Sequence, residues 1–330
     1  MNSEINLKGR SLLTLHDVTD EEFLRLVDLS DRLKQKKKSG VRGDLLVGKH
    51  IAIILEKMST RTRCAVAVAM ADEGGMAQVL SSGEIHLGKK ESVADTARVL
   101  GRMFDGILYR GYQQKTVELL AQYSGVPVWN GLTDEAHPTQ ALADLMTVRE
   151  FFGDLHGRKL VFVGDGRNNV ATSLMLACAK TGMHFVDCTP EALKPSETTV
   201  GVCRKIAEGN GGSVSVVSNP SVAVKGANVI YTDVWISMGE ESMFAERLAL
   251  LRPYQVNMDM MRKTGNLDSE EVIFLHCLPA LHDYKTELTL ETGALEVTDD
   301  VFEASFSRVF DQAENRVHTT KAIFVSSLCN

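Results

Sequence analysis

The chain has 330 residues, of which 44% are hydrophobic and 24% are charged, and its formal net charge is −7. The length predicts two domains of ordinary size with a genuine core, and the negative charge argues against a nucleic-acid-binding surface. No apolar run is long enough to span a membrane, and the six cysteines include no Cys-x-x-Cys pair, so a disulfide framework is not expected.

Residues 1–47 are predicted to be mostly helical, with a capped, acidic helix start at 19–22. After residue 50, short apolar runs alternate with helical segments, which is typical of parallel sheets built from β–α–β units. The predicted strands are 50–55, 77–80, 106–111, 126–129, 160–163, 184–187, 213–217, 229–232 and 272–275. The main predicted helices are 64–70, 92–104, 114–123, 137–152, 168–180, 198–208, 246–251, 257–263 and 312–328.

A polar, glycine-containing break at 153–157 follows the helix that begins at His137. It predicts a domain boundary there, with 1–150 as a first domain and 151–311 as a second. The expected fold is therefore α/β, with two doubly wound parallel-sheet domains joined by helices.

The segment 56–63 lies between a buried strand and a helix former. Ser59 is a good N-cap residue, and Thr60, Arg61 and Thr62 fill the first helical turn. A helix N-terminus offers unpaired N–H groups and a positive dipole end. Together with the hydroxyls and the guanidinium groups of Arg61 and Arg63, it predicts a site for a small dense anion such as phosphate. The alternative is a capped surface helix with solvated arginines.

Three further residues are candidates for the same site. Arg110 ends a buried strand, where open α/β sheets place their ligands. His137 and Gln140 are three residues apart and therefore share one face of a predicted helix. Taken in isolation, Arg110 could equally be a surface charge, and His137 an ordinary buried helix histidine.

Gly164-Asp165-Gly166 follows a strand and precedes a helix, and Asp187 stands roughly where a ribose-binding acid would be. This favours an NAD-dependent dehydrogenase as an alternative, although the third glycine position is occupied by Asn169. Asn168 and Asn169 could instead bind a substrate carboxylate, and a role as helix N-cap accounts for one of the two.

Four motifs together resemble the aspartate and ornithine carbamoyltransferases. Segments 59–63 (Ser-Thr-Arg-Thr-Arg) and 137–140 (His-Pro-Thr-Gln) match the two signatures of the whole family. Segments 233–239 (Asp-Val-Trp-Ile-Ser-Met-Gly) and 276–279 (His-Cys-Leu-Pro) match its ornithine branch. The resemblance extends from about Leu12 to the end of the chain.

The resemblance implies that carbamoyl phosphate is bound by eleven residues, with oxyanion stabilisation at Arg110, His137 and Thr62. These residues are Ser59, Thr60, Arg61, Thr62, His86, Arg110, His137, Gln140, Cys277, Leu278 and Arg316. Many bacterial relatives carry glutamine where this chain has His86, so the pH dependence at that position is expected to differ. The resemblance also implies that the final helix, 312–330, packs on the first domain.

For ornithine, the resemblance implies contacts from Asn169, Asp233, Ser237 and Met238, with Cys277 beside the amine. Asp233 would position the protonated amine but would also oppose its deprotonation. Arg110, His137, Asp233 and Cys277 are the predicted catalytic residues. A buried, inert cysteine is the usual outcome beside a strand, and a covalent role for Cys277 is an alternative that the reaction does not require. A metal site at Cys277 is not expected, because no second ligand pair has suitable spacing.

The implied reaction transfers the carbamoyl group to the δ-amine of L-ornithine and gives L-citrulline and phosphate, in arginine synthesis or in the reverse, catabolic direction. No cofactor or metal is expected, and the implied assembly is a homotrimer with shared active sites. The N-terminus resembles neither a signal peptide nor a transit peptide, which favours the cytosol.

The alternatives to this function are a carbamoyltransferase for another amine, the dehydrogenase, and an inactive relative that serves as a binding subunit.

Overall fold

The computed structural model describes residues 5–81, 83, 85, 87–88, 90–236 and 244–329. It divides into two compact units, 1–146 with 314–330, and 147–313. The sequence placed the divisions at 150 and at 312. The observed divisions, after residues 146 and 313, both fall inside continuous helices, so no loop in the sequence marks them.

The first unit contains a four-stranded parallel sheet with the strand order β2-β1-β3-β4. Its strands are β1 (His50–Leu55), β2 (Met76–Ser81), β3 (Gly106–Arg110) and β4 (Val128–Leu132). Its helices are α1 (Asp20–Lys38), α2 (Thr60–Asp72), α3 (Val93–Met103), α4 (Gln114–Ser124) and the start of α5 (Pro138–Phe152). The central strand β1 is buried from Ile51 to Leu55, as expected for a parallel strand covered on both faces.

The last helix of the chain, α12 (Val309–Leu328), completes the first unit with its C-terminal part. Phe324 packs on the fully buried Trp129 with ring centroids 4.6 Å apart. The Trp129 indole N–H donates to Ser327 Oγ at 3.2 Å, and Lys321 Nζ donates to Asp72 Oδ2 at 2.8 Å. Apolar burial and two specific polar contacts therefore hold this segment in place.

The second unit contains a five-stranded parallel sheet with the order β7-β6-β5-β8-β9. The strands are β5 (Lys159–Val163), β6 (His184–Cys188), β7 (Ser213–Val217), β8 (Val229–Thr232) and β9 (Ile273–His276). The helices wholly within this unit are α6 (Asn169–Lys180), α7 (Glu197–Gly209), α8 (Pro220–Ala223), α9 (Phe244–Leu251), α10 (Met258–Lys263) and α11 (Asp299–Phe302).

The predicted fold class is confirmed, since both sheets are parallel and helices follow their strands. The sequence did not predict α8 and α11. Each has four residues, which is too short to show a helical period. Within the described residues, none of the helices combines the length and apolarity needed to cross a bilayer.

Helices α3 and α4 approach closely at Gly101. A Cβ built on Gly101 would lie 1.8 Å from the backbone oxygen of Ser124, so any side chain there must move a helix end. In contrast, a Cβ on Gly201 of α7 would meet no atom within 4 Å.

We therefore expect Gly101→Ala to destabilise the protein by about 1–3 kcal/mol through overpacking. Gly201→Ala is the matched control and should stabilise it by about 0.5–1 kcal/mol, because alanine is the better helix former. Urea unfolding followed by circular dichroism measures both changes. A neutral Gly101→Ala would show that α3 can move away from α4 at little cost.

Candidate active site

Each sheet reverses its direction of growth at one point. In the first unit the chain adds β2 on one side of β1 and then β3 on the other. In the second unit it adds β6 and β7 on one side of β5 and then β8 and β9 on the other. Open α/β sheets bind ligands beyond the carboxyl ends of the strands at such a switch point. The predicted site residues follow or end these strands.

The turn after β1 begins α2 as the sequence predicts. Ser59 is the N-cap, and its Oγ accepts from the Thr62 backbone N–H at 3.1 Å and donates to Thr62 Oγ1 at 3.1 Å. Arg61 is half-buried, whereas Thr60 and Arg63 are exposed. Of the two arginines in the motif, Arg61 is therefore the one that the fold turns inward.

Arg316 of α12 joins this turn to the start of α5. Its guanidinium donates to Gln140 Oε1 at 2.5 Å and to Thr62 Oγ1 at 3.4 Å, and the side chain is 4% exposed. Gln140 Nε2 in turn donates to Asp144 Oδ1 at 2.7 Å. Because a carboxylate can only accept, Asp144 fixes the amide so that its oxygen points toward Arg316. An arginine 176 residues away in the chain thus reaches the same site as Gln140.

His137 lies within the fields of three arginines. Burial lowers the pKa of its imidazole well below the usual value, and the positive charges of Arg316, Arg110 and Arg61 lower the pKa further. At neutral pH the ring is therefore uncharged and carries a single N–H that can donate to a carbonyl oxygen. We call Arg61, Arg110 and Arg316 the arginine cluster. The positive potential of this cluster and the neutral donor of His137 suit an anion that also carries a carbonyl group.

In the second unit, strand register brings Asp233 and Cys277 together. Thr232 is paired with Val163 on one side and with His276 on the other. The residues that follow, Asp233 and Cys277, therefore leave the sheet side by side. The Cys277 thiol donates to Asp233 Oδ1 at 3.1 Å.

Asn168 completes the surroundings of this carboxylate. Its Nδ2 donates to Asp233 Oδ2 at 2.9 Å, while its Oδ1 accepts from the Val170 N–H at 2.7 Å and caps α6. The two bonds fix the orientation of the amide. Sequence analysis named Asn169, and not Asn168, among the ornithine ligands, and the structure places Asn169 at the first position of α6.

Three of the predicted site residues, His86, Ser237 and Met238, lie outside the described residues. The chain after residues 237–243 is anchored at α9, where the Arg247 guanidinium pairs with the Asp165 carboxylate of the turn after β5. Both side chains of this ion pair are nearly buried.

The carboxyl group of Asp187 is covered by the turn after β5. A Cβ built on Gly166 would lie 2.2 Å from Asp187 Oδ2 and 2.9 Å from Pro195, so the turn packs directly on the carboxyl group. Asp187 is fully buried, and within the described parts of the chain neither of its oxygens has a hydrogen-bond partner. Burial, with a smaller contribution from Asp165, raises its pKa to about 8. A ribose cannot reach this group, which removes the main support for the dinucleotide interpretation.

Sequence reasoning did not assign Asp144 or the contact between Asn168 and Asp233. Asp144 could have been found from its place one helical turn after Gln140. The contact of Asn168 with Asp233 spans 65 residues and depends on strand order, so no local signal announces it.

Comparison with known proteins identifies the class of both units. Residues 10–150 match the model "Aspartate/ornithine carbamoyltransferase, carbamoyl-P binding domain", and residues 156–327 match "Aspartate/ornithine carbamoyltransferase, Asp/Orn binding domain". The chain belongs to the aspartate/ornithine carbamoyltransferase family.

Individual relatives agree along the whole chain. The chain is 54% identical over 334 residues to a catabolic ornithine carbamoyltransferase of Bacillus licheniformis, with 99% of each protein covered. It is 56% identical over 324 residues to an ornithine carbamoyltransferase of Thermotoga maritima, covering 98% of this chain and 99% of the other. The solved ornithine carbamoyltransferase of Pyrococcus furiosus matches with a TM-score of 0.91 at 45% identity, with 98% of each chain covered.

The raised pKa of Asp187 links its protonation to folding. An unfolded aspartate has a pKa near 4, so stability attributed to this group is complete below about pH 4 and is lost as pH rises to about 8. Asp187→Asn mimics the protonated form. Relative to wild type, we expect its free energy of unfolding to rise by about 1.4 kcal/mol per pH unit between about pH 5 and pH 7.5.

Urea unfolding of both proteins across this pH range measures the difference. Asp268→Asn, at an exposed position, is the control and should follow the wild-type curve. A constant difference between Asp187→Asn and wild type would mean that Asp187 is ionised in the folded protein.

Proposed function

We propose that this protein is an ornithine carbamoyltransferase, which transfers the carbamoyl group of carbamoyl phosphate to the δ-amine of L-ornithine. The observation that carries the proposal is the arginine cluster around an uncharged His137. This cluster lies in the unit that matches a carbamoyl-phosphate-binding domain. The names of relatives such as those of B. licheniformis and T. maritima support the choice of ornithine as the acceptor.

In this proposal the phosphate binds at the N-terminus of α2, where Ser59, Thr60, Arg61 and Thr62 offer hydroxyls, backbone N–H groups and a guanidinium. The helix dipole and the arginine side chain both favour a dianion there. These interactions position the substrate before the reaction. The electrostatic stabilisation that they provide is larger in a buried, preorganised site than in water.

The carbonyl group is assigned to Arg110, His137 and Thr62, and the carbamoyl amide to Gln140. Attack at the carbonyl carbon moves negative charge onto its oxygen. An arginine and a neutral imidazole N–H stabilise that charge more than they stabilise the ground-state carbonyl, so the barrier falls. Arg316 would contact the same substrate after leaving its bond to Gln140.

The chemistry is a substitution at the carbonyl carbon. The δ-amine first loses one proton to solvent, and its lone pair then forms the new C–N bond. The resulting tetrahedral intermediate breaks the C–O bond to phosphate, and the departing phosphate takes up the second proton from the nitrogen. The products are L-citrulline and inorganic phosphate, and the protein supplies positioning and charge stabilisation without a covalent intermediate.

Ornithine is assigned to the second unit, with Asp233 and Cys277 around the amine. A lysine-like amine is protonated at neutral pH, and the carboxylate holds that form in place. Asn168 keeps Asp233 oriented. Asn169, Ser237 and Met238 are assigned to the α-amino and carboxylate groups, and Cys277 and Leu278 also to the carbamoyl group.

We further propose a homotrimer in which the segment around His86 reaches the carbamoyl phosphate of a neighbouring subunit. Met58, beside the Ser59 cap, is 86% exposed, and an apolar side chain this open suits a subunit contact. Sedimentation equilibrium should give a mass near three times 36.2 kDa. A cytoplasmic location remains a prediction.

The role of the anion site is tested with Arg61→Ala. Removing one partner of a buried charge pair costs about 2–5 kcal/mol, so kcat/KM for citrulline formation should fall by about tens to thousands of times. Arg102→Ala removes an exposed arginine of the same unit and should stay within about threefold of wild type. Equal effects of the two substitutions would contradict the assignment.

The acceptor is tested separately, by offering the wild-type protein a panel of amines. Ornithine should be carbamoylated in preference to aspartate, putrescine and N-acetylornithine. Efficient use of another amine would leave the family assignment unchanged and would contradict ornithine as the acceptor.

A further inference from the structure

The strand that precedes Cys277 ends in a buried polar group for which the reaction has no direct use. His276, the last residue of β9, and Glu296 are both fully buried. His276 Nε2 lies 3.2 Å from Glu296 Oε1. Buried polar groups of this kind normally serve a specific arrangement of the surrounding chain.

The hydrogen bonds of His276 determine its tautomer. The Leu278 backbone N–H donates to His276 Nδ1 at 2.9 Å, so Nδ1 is an acceptor and carries no proton. In the neutral ring the proton is then on Nε2, which donates to Glu296. Both ring nitrogens are therefore used, so His276 could join Asp233 and Cys277 around a metal ion only by breaking one of these bonds.

Glu296 also holds the far end of the loop 277–281, which follows β9. Its Oε1 accepts from the Leu281 backbone N–H at 2.6 Å. One carboxylate oxygen thus fixes residue 281 directly and residue 278 through His276. Cys277 lies between these anchors and the end of β9. Leu278 adopts a left-handed backbone conformation with φ 57°, which a leucine disfavours by itself.

The register of β9 makes this loop important for the site. Cys277 donates to Asp233 across the ends of β8 and β9, so its position depends on where the chain leaves the strand. The His276 backbone N–H is held in addition by Gln312 Oε1 at 3.0 Å. The bond from Leu278 to His276 and the bonds to Glu296 set the direction that the chain takes afterwards.

We propose that Glu296 is a positioning residue, which acts through the His276 tautomer to hold Cys277 and Leu278 in their working geometry. The catalytic consequence rests on the proposed function. The claim about loop geometry does not, because it can be measured without substrate.

The main test compares Glu296→Leu with Glu296→Gln. Leucine fills a similar volume but accepts no hydrogen bond. Glutamine keeps an acceptor oxygen for His276 and Leu281. Within the described residues, Glu296 Oε2 has no hydrogen-bond partner, so an amide nitrogen there breaks no bond.

We expect Glu296→Leu to lower kcat/KM for ornithine by about tenfold to a hundredfold, the size of effect that a small misplacement produces. Glu296→Gln should stay within about threefold. The second readout is the alkylation rate of the Cys277 thiol, followed by peptide mass spectrometry. The exposed Cys64 of the first unit serves as an internal reference. The ratio of the Cys277 and Cys64 rates should change by about threefold or more in Glu296→Leu and stay at the wild-type value in Glu296→Gln.

A second pair of variants keeps the proposal testable if Glu296→Leu does not fold. The oxygen of His276→Asn falls near Nδ1 and keeps the bond from Leu278. The amide nitrogen of His276→Gln falls near Nε2 and keeps the bond to Glu296. The Cys277 rate should remain near wild type in His276→Asn, because an amide oxygen accepts from Leu278 without Glu296 to select a tautomer, and should change in His276→Gln, which offers no acceptor near Nδ1.

Two results would overturn the proposal: wild-type kinetics and thiol reactivity in a folded Glu296→Leu protein, or equal changes in the two members of either pair. An inactive wild-type protein with the expected thiol pattern would instead overturn the proposed function and leave the loop assignment standing.

Discussion

The chemistry of this protein depends on the side chains that follow the carboxyl ends of its parallel strands. The central strands β1, β5 and β8 are buried and largely apolar, so their polar site residues come where the strands end. Because parallel strands all end at one edge, those side chains then gather there. The reversal of strand order separates the loops and leaves room for a ligand. Asp233 and Cys277 illustrate the effect, since strand pairing alone makes them neighbours.

The surroundings of His137 in the first unit and of Asp233 in the second unit have different electrostatic properties. The arginine cluster surrounds a buried imidazole, which is kept neutral by desolvation and by like charge. A neutral donor beside fixed cations can stabilise a developing oxyanion without taking a full proton. Around Asp233, an amide, a thiol and the Val234 N–H converge on a carboxylate. These hydrogen bonds fix the orientation of the Asp233 carboxylate, which is suited to hold a cationic amine.

The sequence predicted the fold class and much of the local structure because those depend on nearby residues. Apolar runs marked the strands, and the Ser59 cap followed from hydroxyl chemistry at a strand-to-helix turn. The identity of the candidate site residues came from motif resemblance. Their contacts did not follow from local pattern, because Arg316 reaches Gln140, and Asn168 reaches Asp233, only through the tertiary fold. Asp187 was misleading for the same reason, since only the packing of Gly166 reveals that its carboxyl group is covered.

The first unit is discontinuous in sequence, and this constrains how the protein can be made. The segment 314–330 is synthesised only after the whole of the second unit, long after the sheet to which it belongs. Until then, Trp129 lacks Phe324 and Ser327, and Asp72 lacks Lys321. Chains emerging from the ribosome normally fold their N-terminal domain first. Here the second unit has its complete sequence available earlier, so the N-terminal unit stays unfinished, with Trp129 lacking these two partners, until residues 314–330 have been made.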